Sequence, residues 1–499
     1  LQPDTEYYYR VTDAAGASEV GELETAAESG KNGLTFGVAG DWRGELAPYP
    51  AINNVPEAQL KFFVEHGDTI YADDTSPALL NPDGTQKQQA ETLTEFRLKH
   101  QEVYGNRFGE NTWADLREST PIFATIDDHE VTNDFAGGAT ADTDDRFQET
   151  EGLINDTQLF EDGLQAFQEY NPIEDRFYGE TGDERTAGER ELYRSQTYGD
   201  DAAIMVLDNR SFRDDQIEGV PDPTNTEDVT RFLTEAFDPT RTLLGEPQLA
   251  ELKADLLEAE ESGVTWKFVM VPEPIQELGI FNADSYEGYL AERTEILKFV
   301  EDNNIDNVVF VAADIHGTFV NNLTYQEEPG GERIPTSMFE ITTGSVAYDA
   351  PFGPTVIDVA TQGGIISPEQ RAFYDSLPVA PDLDNELDDK DDFLKQAFND
   401  SAISPLGLDP VGLDDNLPNA DGLIDANLLQ GDYVAAHTFG WTEFDIDADT
   451  QQLTVTTYGV PAYTEEDIAN DPEAIVNLTP EIVSQFTVNP ADFTQAETP

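Results

Sequence analysis

The sequence predicts an α/β fold, and three observations carry the prediction. From about Leu34 onward, short apolar runs alternate with polar loops and helix-like stretches, the rhythm of strand–helix–strand units. The runs at 202–207 and 265–271 are apolar without alternation, as strands buried on both faces require. Four runs end in ionisable residues: Phe36-Gly37-Val38-Ala39-Gly40-Asp41, Phe62-Phe63-Val64-Glu65-His66-Gly67-Asp68, Thr125-Ile126-Asp127-Asp128-His129-Glu130, and the run from Val308 to Asp314-Ile315-His316. Open α/β sheets hold ligands at the carboxyl ends of their strands, so these four ends are expected to converge on one metal centre.

Taken in order, residues 1–30 read as the end of a different domain: a turn and strand at 1–11, then a hairpin partner at 19–25. The Pro3-x-Thr5-x-Tyr7 turn resembles the tyrosine corner of fibronectin-like β-sandwiches. The segment is too short for a whole sandwich, so a truncated or processed N-terminal β domain is expected, with 31–499 as the main domain. Helices are predicted at 88–104, at 245–262, where Leu249, Leu252, Leu256 and Leu257 keep a 3.6-residue stripe, and at 284–303, feeding a strand at 308–312. Residues 215–240 and 380–430 are acidic and read as surface insertions. Within the second, Asn419-Ala420-Asp421-Gly422 hints at a calcium loop, but Leu417 stands where the first carboxylate belongs and no Glu closes it, so a solvated loop is expected. The acidic blocks 142–145 and 388–392 likewise read as solvated surface. Strands return at 433–446, 452–458 and 483–488.

Composition sets the setting. The 499 residues include 26 Lys+Arg against 102 Asp+Glu, a net charge of −76. Such acidity also suits disorder, but aromatics are 10% and apolar runs recur, so a packed core is expected. The chain should repel itself in dilute buffer, whereas near 1 M salt the Debye length falls to about 3 Å. The expectation is a halophilic, haloarchaeal protein. Its charge argues against nucleic acid or an anionic membrane as partner. No stretch resembles a transmembrane helix. The absence of cysteine excludes disulfides, thiolate metal ligands and a Cys nucleophile. No signal peptide is present, but the chain starts at Leu1, and a secreted or surface-exposed product of a longer precursor is expected. Oligomeric state is not legible.

A binuclear hydrolase needs a carboxylate that bridges two cations about 3.5–4 Å apart, further oxygen or nitrogen ligands, and open positions for water and substrate. Aspartates at the ends of adjacent strands can converge to that spacing, and Asp314 and His316 can reach the two metals separately. The motifs Gly40-Asp41, Gly67-Asp68-Thr69-Ile70-Tyr71, Asp127-Asp128-His129-Glu130-Val131-x-Asn133-Asp134, Leu207-Asp208-Asn209-Arg210-Ser211-Phe212-Arg213, Leu244-Gly245-x-x-Gln248, Asp284-Ser285-Tyr286-x-Gly288-Tyr289 and Asp314-x-His316 occur in the order of the PhoD-type alkaline phosphatases. Over roughly 34–320 the chain resembles that family.

The resemblance implies a calcineurin-like metallophosphoesterase fold, a four-layer α/β/β/α sandwich related to the purple acid phosphatases. It implies Asp41 as the first aspartate ligand, Asp68 as the bridge, Tyr71 as a ferric-iron ligand and His316 on the same metal. Asp128 stands where the superfamily's Asn binds the second metal, and Asp314 replaces the closing motif's first histidine. His129 matches the histidine that contacts phosphate and protonates the leaving group. There are two departures. The Cys ligand described in PhoD-type enzymes is missing, and so is the superfamily's fourth-motif histidine, for which Glu273 is the candidate replacement. An all-oxygen second site suits Ca²⁺, Mg²⁺ or Mn²⁺ better than Zn²⁺, while Tyr71 points to Fe³⁺ at the first.

Plainer readings compete. A lone Asp after a strand is ordinarily a cap or turn residue, but four such ends in family order reverse that. Tyr71 reads as a ligand or as a core tyrosine. Arg210 and Arg213 either bind phosphate bidentately or pair with carboxylates. Arg97, Trp42 and Arg43 are further substrate-binding candidates. His66, His100 and His437 read as structural or surface residues, with His66 also placed to support Asp68. The expected function is two-metal hydrolysis of phosphate mono- or diesters by metal-bound hydroxide, for phosphate scavenging in high salt, with His129, Asp128 and Arg210 at the chemistry. Asp127 and Glu130 are expected to orient the ligands. The alternative is a catalytically inactive, calcium-binding cell-surface protein.

Overall fold

A computed structural model of the chain describes residues 1–499 except 150, 223, 282, 384–385, 414–422 and 492–499. In chain order its strands are β1 (Glu6–Thr12), β2 (Ser18–Glu24), β3 (Leu34–Trp42), β4 (Phe62–His66), β5 (Ile122–Thr125), β6 (Arg194–Tyr198), β7 (Ala202–Val206), β8 (Trp266–Met270), β9 (Val308–Ala312), β10 (Thr318–Tyr325), β11 (Ile334–Thr342), β12 (Ser345–Ala347), β13 (Ala426–Gly431), β14 (Val434–Ala435), β15 (Thr438–Ile446), β16 (Leu453–Pro461) and β17 (Glu481–Val488). The helices used below are α1 (Leu93–Tyr104), α2 (Thr112–Ser119), α3 (Gln158–Tyr170), α4 (Thr226–Ala236), α5 (Glu246–Glu261), α6 (Leu290–Asp302), α7 (Phe352–Gln362), α8 (Pro368–Ser376) and α9 (Lys390–Phe398).

One sheet runs β14-β10-β11-β9-β8-β7-β6, the other β13-β17-β16-β15-β3-β4-β5, with β12 added beside β3. Strands β7, β8 and β9 are mutually parallel, as are β3, β4 and β5. Side chains alternate across a strand, so each of these central strands feeds two cores. Phe36, Phe62, Phe268 and Phe444 meet between the sheets, Phe36 stacking on Phe62 and Phe444 at 4.8 Å each. On the outside of one sheet Trp42, Phe63 and Trp441 pack with Phe96 of α1 and Trp113 of α2. On the outside of the other, Met205, Val269 and Phe310 pack with Leu249, Leu252 and Leu256 of α5 and Leu297 of α6. The result is a four-layer α/β/β/α sandwich. Burial on both faces is why the runs at 202–207 and 265–271 lack alternation.

Local chemistry moves several boundaries. The helix expected over 88–104 starts at Leu93, because the Thr92 side chain accepts from the Glu95 N–H and caps it. The helix expected from 284 opens with a 3₁₀ turn, Tyr286–Tyr289. The segment expected as a surface insertion at 215–240 contains α4, whose Phe232 and Ala236 are buried beside Val220, Ile280 and Leu290. The acidic block 388–392 is not simply solvated. Asp389 caps α9, and buried Asp391 accepts from the Ala436 N–H and the His437 ring at 2.8 and 2.7 Å. The Asn419–Gly422 loop hint lies outside the described residues.

The N-terminal strands form an antiparallel hairpin whose Tyr9 hydroxyl donates to the Arg117 carbonyl at 2.9 Å. Its Tyr8, Val11 and Val20 are exposed. None of the described helices is long and apolar enough to cross a membrane.

Candidate metal centre

The parallel strands bring their carboxyl ends to one edge, and the backbone turns sharply there. Asp41, Asp68, Asp314 and His316 all have positive φ, at 64°, 49°, 67° and 59°. Left-handed backbone costs a side-chain-bearing residue about 1–3 kcal/mol and gathers at functional sites. Here it swings each side chain off its strand toward the common edge. Two glycines let the edges approach. A Cβ on Gly40 would lie 2.6 Å from the Ala313 Cβ and 2.8 Å from the His66 carbonyl, and Gly67 has φ +79°.

Among the described residues three sets of donor atoms result, each set lying within 4.8 Å: Asp41, Asp68 and His316; Asp68, Asp128 and His129; and Asp128, Asp134 and Asp284. Asp68 belongs to the first two, which is what a bridge must do. Tyr71 joins the first, its hydroxyl 3.3 Å from His316 Nε2, which in turn lies 3.4 Å from Asp41 Oδ1. Asp41 is fully buried and, among the described residues, neither of its oxygens has a hydrogen-bond partner; nor has Asp128 Oδ1. A buried carboxylate without a donor is destabilising unless a cation meets it. These residues therefore fit metal ions.

Electrostatics agree. Burial raises the Asp68 pKa well above its ordinary value, and Asp128, Asp127 and Glu130 add to this against the pull of His129. Burial together with Asp284 and Asp128 pushes Asp134 up to about 7. Tyr71 is raised by burial, Asp68 and Asp41, so its phenolate needs a strong cation beside it.

The surrounding residues hold this arrangement. Glu130 accepts from the Thr69 N–H at 2.5 Å, the Thr69 hydroxyl at 2.7 Å and the Asp127 N–H at 2.8 Å, joining the loops after β4 and β5. Asp127 accepts from Arg210 Nε at 2.7 Å. His129 Nδ1 meets Asp73 Oδ1 at 2.5 Å, leaving Nε2 facing Asp128 Oδ1 at 3.8 Å. Burial opposes protonation of His129, but Asp128, Asp68 and Asp73 hold its pKa well above the ordinary value.

Other expected residues fall elsewhere. Glu273 is buried with both oxygens on Arg213, at 2.7 and 2.9 Å, and also touches Arg210. Those guanidiniums neutralise its charge, and Glu273 is in none of the donor sets found among the described residues. Arg210 lies buried between Asp127 and Asp284, which resolves its two readings toward carboxylate pairing. Asp314 belongs to none of the three donor sets, although Asp127, Glu273, Asp284 and Asp128 are close enough to raise its pKa beyond the rise from burial. Trp42 is not at the mouth: it is fully buried, 4.3 Å from the Trp113 ring. Arg97 pairs with Glu169 at 2.6 Å on the exposed side of α1 and α3. His66 spans the sheets, its Nε2 within 2.9 Å of the Val271 and Val311 carbonyls, and does not support Asp68.

Sequence reasoning missed Asp73, Tyr348 and a donor role for Asp134 and Asp284. Tyr348 lies 3.9 Å from the His316 ring and 4.8 Å from Tyr71, placed by β12 running parallel to β3. Asp134 and Asp284 stood in quoted motifs. Asp73 and Tyr348 gave no signal beyond nearness to ligands in the chain.

The family model for PhoD-like phosphatase matches residues 38–377. Alkaline phosphatase D of Bacillus subtilis (strain 168) is 27% identical over 368 residues, 70% of this chain and 58% of that protein, so the chain spans little more than half of its relative's length. The solved structure of PhoD aligns over 99% of this chain and 78% of its own, with a TM-score of 0.62 at 18% identity, a likeness of fold. A purple acid phosphatase from yellow lupin (Lupinus luteus) seeds aligns over 98% of this chain and 60% of its own at 10% identity, with a TM-score of 0.43.

Proposed function

The chain belongs to the PhoD-like phosphatase family, and on that premise we propose that it hydrolyses phosphate esters at a centre of two metal ions. The observation that carries the reading is Asp68, shared by two adjoining donor sets, beside an Asp41 carboxylate that no donor among the described residues satisfies. Asp41, Asp68, Tyr71 and His316 would hold one ion, and Asp68 and Asp128 the other, with Asp134 and Asp284 close by. A phenolate and an imidazole beside carboxylates suit Fe³⁺ at the first position; with the His129 imidazole of the second set kept for the proton, the carboxylates left there suit Ca²⁺, Mg²⁺ or Mn²⁺. When bound, such a pair of cations supplies an activated water and polarises the phosphoryl oxygens.

The chain's own groups do the rest. Asp73 fixes the His129 imidazole through Nδ1, so a proton held at Nε2 points toward the cluster and can pass to the leaving alkoxide. Arg43, at the rim beside Tyr348, is the cation placed to take a phosphoryl oxygen. Arg210 and Arg213 hold Asp127, Asp284 and Glu273 and so fix the floor of the centre. Monoesters, diesters or both are the substrates under this reading, with phosphate acquisition outside the cell in molar salt as its purpose. The −76 charge supports the saline setting. The hairpin at β1–β2 is read as part of a fibronectin-like domain on its Pro3-x-Thr5-x-Tyr7 turn and its exposed Tyr8, Val11 and Val20.

Hydrolysis of a chromogenic monoester and diester in molar salt, with metals restored, tests the proposal. Turnover with a visible tyrosinate-to-iron band supports it. A colourless chain that binds Ca²⁺ and turns over neither ester would favour the calcium-binding surface protein instead.

A further inference from the structure

Arg43 has a partner that none of the centre's other arginines has. Its side chain is 9% exposed, and its guanidinium lies 3.5 Å from Glu45 Oε2, 3.8 Å from Asp74 Oδ2 and in direct contact with the Asp349 carboxylate. The backbone ties it to the same corner, its N–H donating to the Ala347 carbonyl at 3.0 Å. The guanidinium carbon sits 5.9 Å from the centre of the Tyr348 ring, which itself lies 3.9 Å from His316. Glu45 is almost wholly buried, whereas the Asp349 side chain is 70% exposed. A mostly buried guanidinium at the rim of the first donor set therefore has one of its prongs taken by a carboxylate that reaches in from solvent. Arg presents the same planar fork to carboxylate and phosphate oxygens.

We propose that Asp349 is a built-in competitor for the phosphate-binding fork of Arg43. It occupies the guanidinium in the resting chain and is displaced by the phosphoryl oxygens of an incoming ester. Asp349 is thus a residue that sets substrate affinity without touching the substrate. Because only the fraction with a free fork binds, the apparent dissociation constant of every phosphoryl ligand that uses Arg43 is raised by the same factor. For an ion pair with one partner this exposed, the factor is roughly 2- to 10-fold. The pair is also screened by salt, so the competition fades as ionic strength rises. The inference rests on the phosphoesterase reading of the centre, but binding alone tests it.

The experiment is calorimetric titration of inorganic phosphate into the metal-loaded full chain, comparing wild type, Asp349→Asn, Arg43→Gln, Arg43→Lys and the Asp349→Asn/Arg43→Gln double variant. Thermal unfolding checks that each variant is folded. Asp349→Asn is expected to bind phosphate roughly 2- to 10-fold more tightly at about 0.5 M salt, an advantage that shrinks toward about 3 M. Arg43→Gln and Arg43→Lys should both weaken binding, since Lys keeps the charge but loses the fork. In the Arg43→Gln background the Asp349 change should have no effect. Unchanged or weaker phosphate binding in Asp349→Asn, or an effect that survives loss of Arg43, overturns the proposal. Tighter phosphate binding by Asp349→Asn in a chain that turns over no ester would keep this inference and reject the hydrolase reading.

Discussion

At the scale of single residues, the centre consists of buried carboxylates that are costly without cations and of groups that aim them. Asp134, pushed up to about 7 by burial, Asp284 and Asp128, is partly protonated near neutrality. A cation must displace that proton, so Ca²⁺ affinity should rise with pH through about 7. Titrations at about pH 6 and pH 8 check this, and equal affinities would contradict it. Asp73 acts through His129, and loss of such a partner typically costs about 10- to 100-fold. Asp73→Ala should therefore lower kcat by that factor with little change in metal content, and should add no further loss in a His129→Ala background. The residues that gather at the strand ends were legible because an acidic residue ending an apolar run is distinctive even in a chain with 102 of them. Asp73 was not, because in so acidic a chain a loop aspartate carries no mark; only the folded loop brings it to His129. Glu273 misled for a related reason. Its strand-end position resembles a ligand's, but Arg213, sixty residues away in sequence, claims both its oxygens.

At the scale of elements, the strands that carry the site were read correctly and their surroundings less so. The stretch 433–446 reads as one strand but forms two, β14 in one sheet and β15 in the other. No Gly or Pro marks the break at Ala436-His437; the break comes from tertiary packing. There His437 is held by Asp391 at 2.7 Å and by the Tyr374 hydroxyl at 2.8 Å, which seats α8 and α9 on the sheet edge. The same junction supports the centre: the Gly353 N–H donates to the Ala436 carbonyl at 2.8 Å, and the Phe352 N–H to the His316 carbonyl at 2.9 Å. A Cβ on Gly353 would meet the His437 ring and lie 2.9 Å from the Ala436 carbonyl. Gly353→Ala should therefore destabilise the fold by about 1–3 kcal/mol, as read by denaturant unfolding. It should also weaken metal retention at the His316 side; a change in stability with retention intact would uncouple α7 from the centre.

At the scale of the molecule, the −76 charge and the buried carboxylates make stability depend on pH and salt. Buried carboxylates away from the centre are held protonated more readily in the fold than in the unfolded chain: burial raises Glu65 to about 7, Glu287 to about 8 and Glu340 to about 7. With folded pKa values above the unfolded ones, their contribution is full below about pH 4.5 and is lost as pH rises through about 7–8. Relief of self-repulsion acts in the same direction. The melting temperature at moderate salt should thus be higher near about pH 5.5 than near about pH 8, with the gap narrowing in molar salt; a higher value at pH 8 would show that other groups dominate. The α/β class was legible because two-faced burial leaves unalternated apolar strands, and the four-layer arrangement came from the family resemblance; the hairpin's context follows from packing, and the helices between 350 and 400 carry only short local marks, the Ser367–Gln370 capping box of α8 and the Asp389 cap of α9. The account as a whole rests on Asp68 bridging two cations in a working phosphoesterase. Its most direct test is the hydrolysis rate of a chromogenic monoester and of a chromogenic diester by metal-loaded protein in molar salt, wild type against Asp68→Ala, read on whichever ester the wild type turns over. The account predicts measurable turnover that falls by at least about 100-fold in the variant, and equal rates in the two proteins, or none in the wild type, would contradict it.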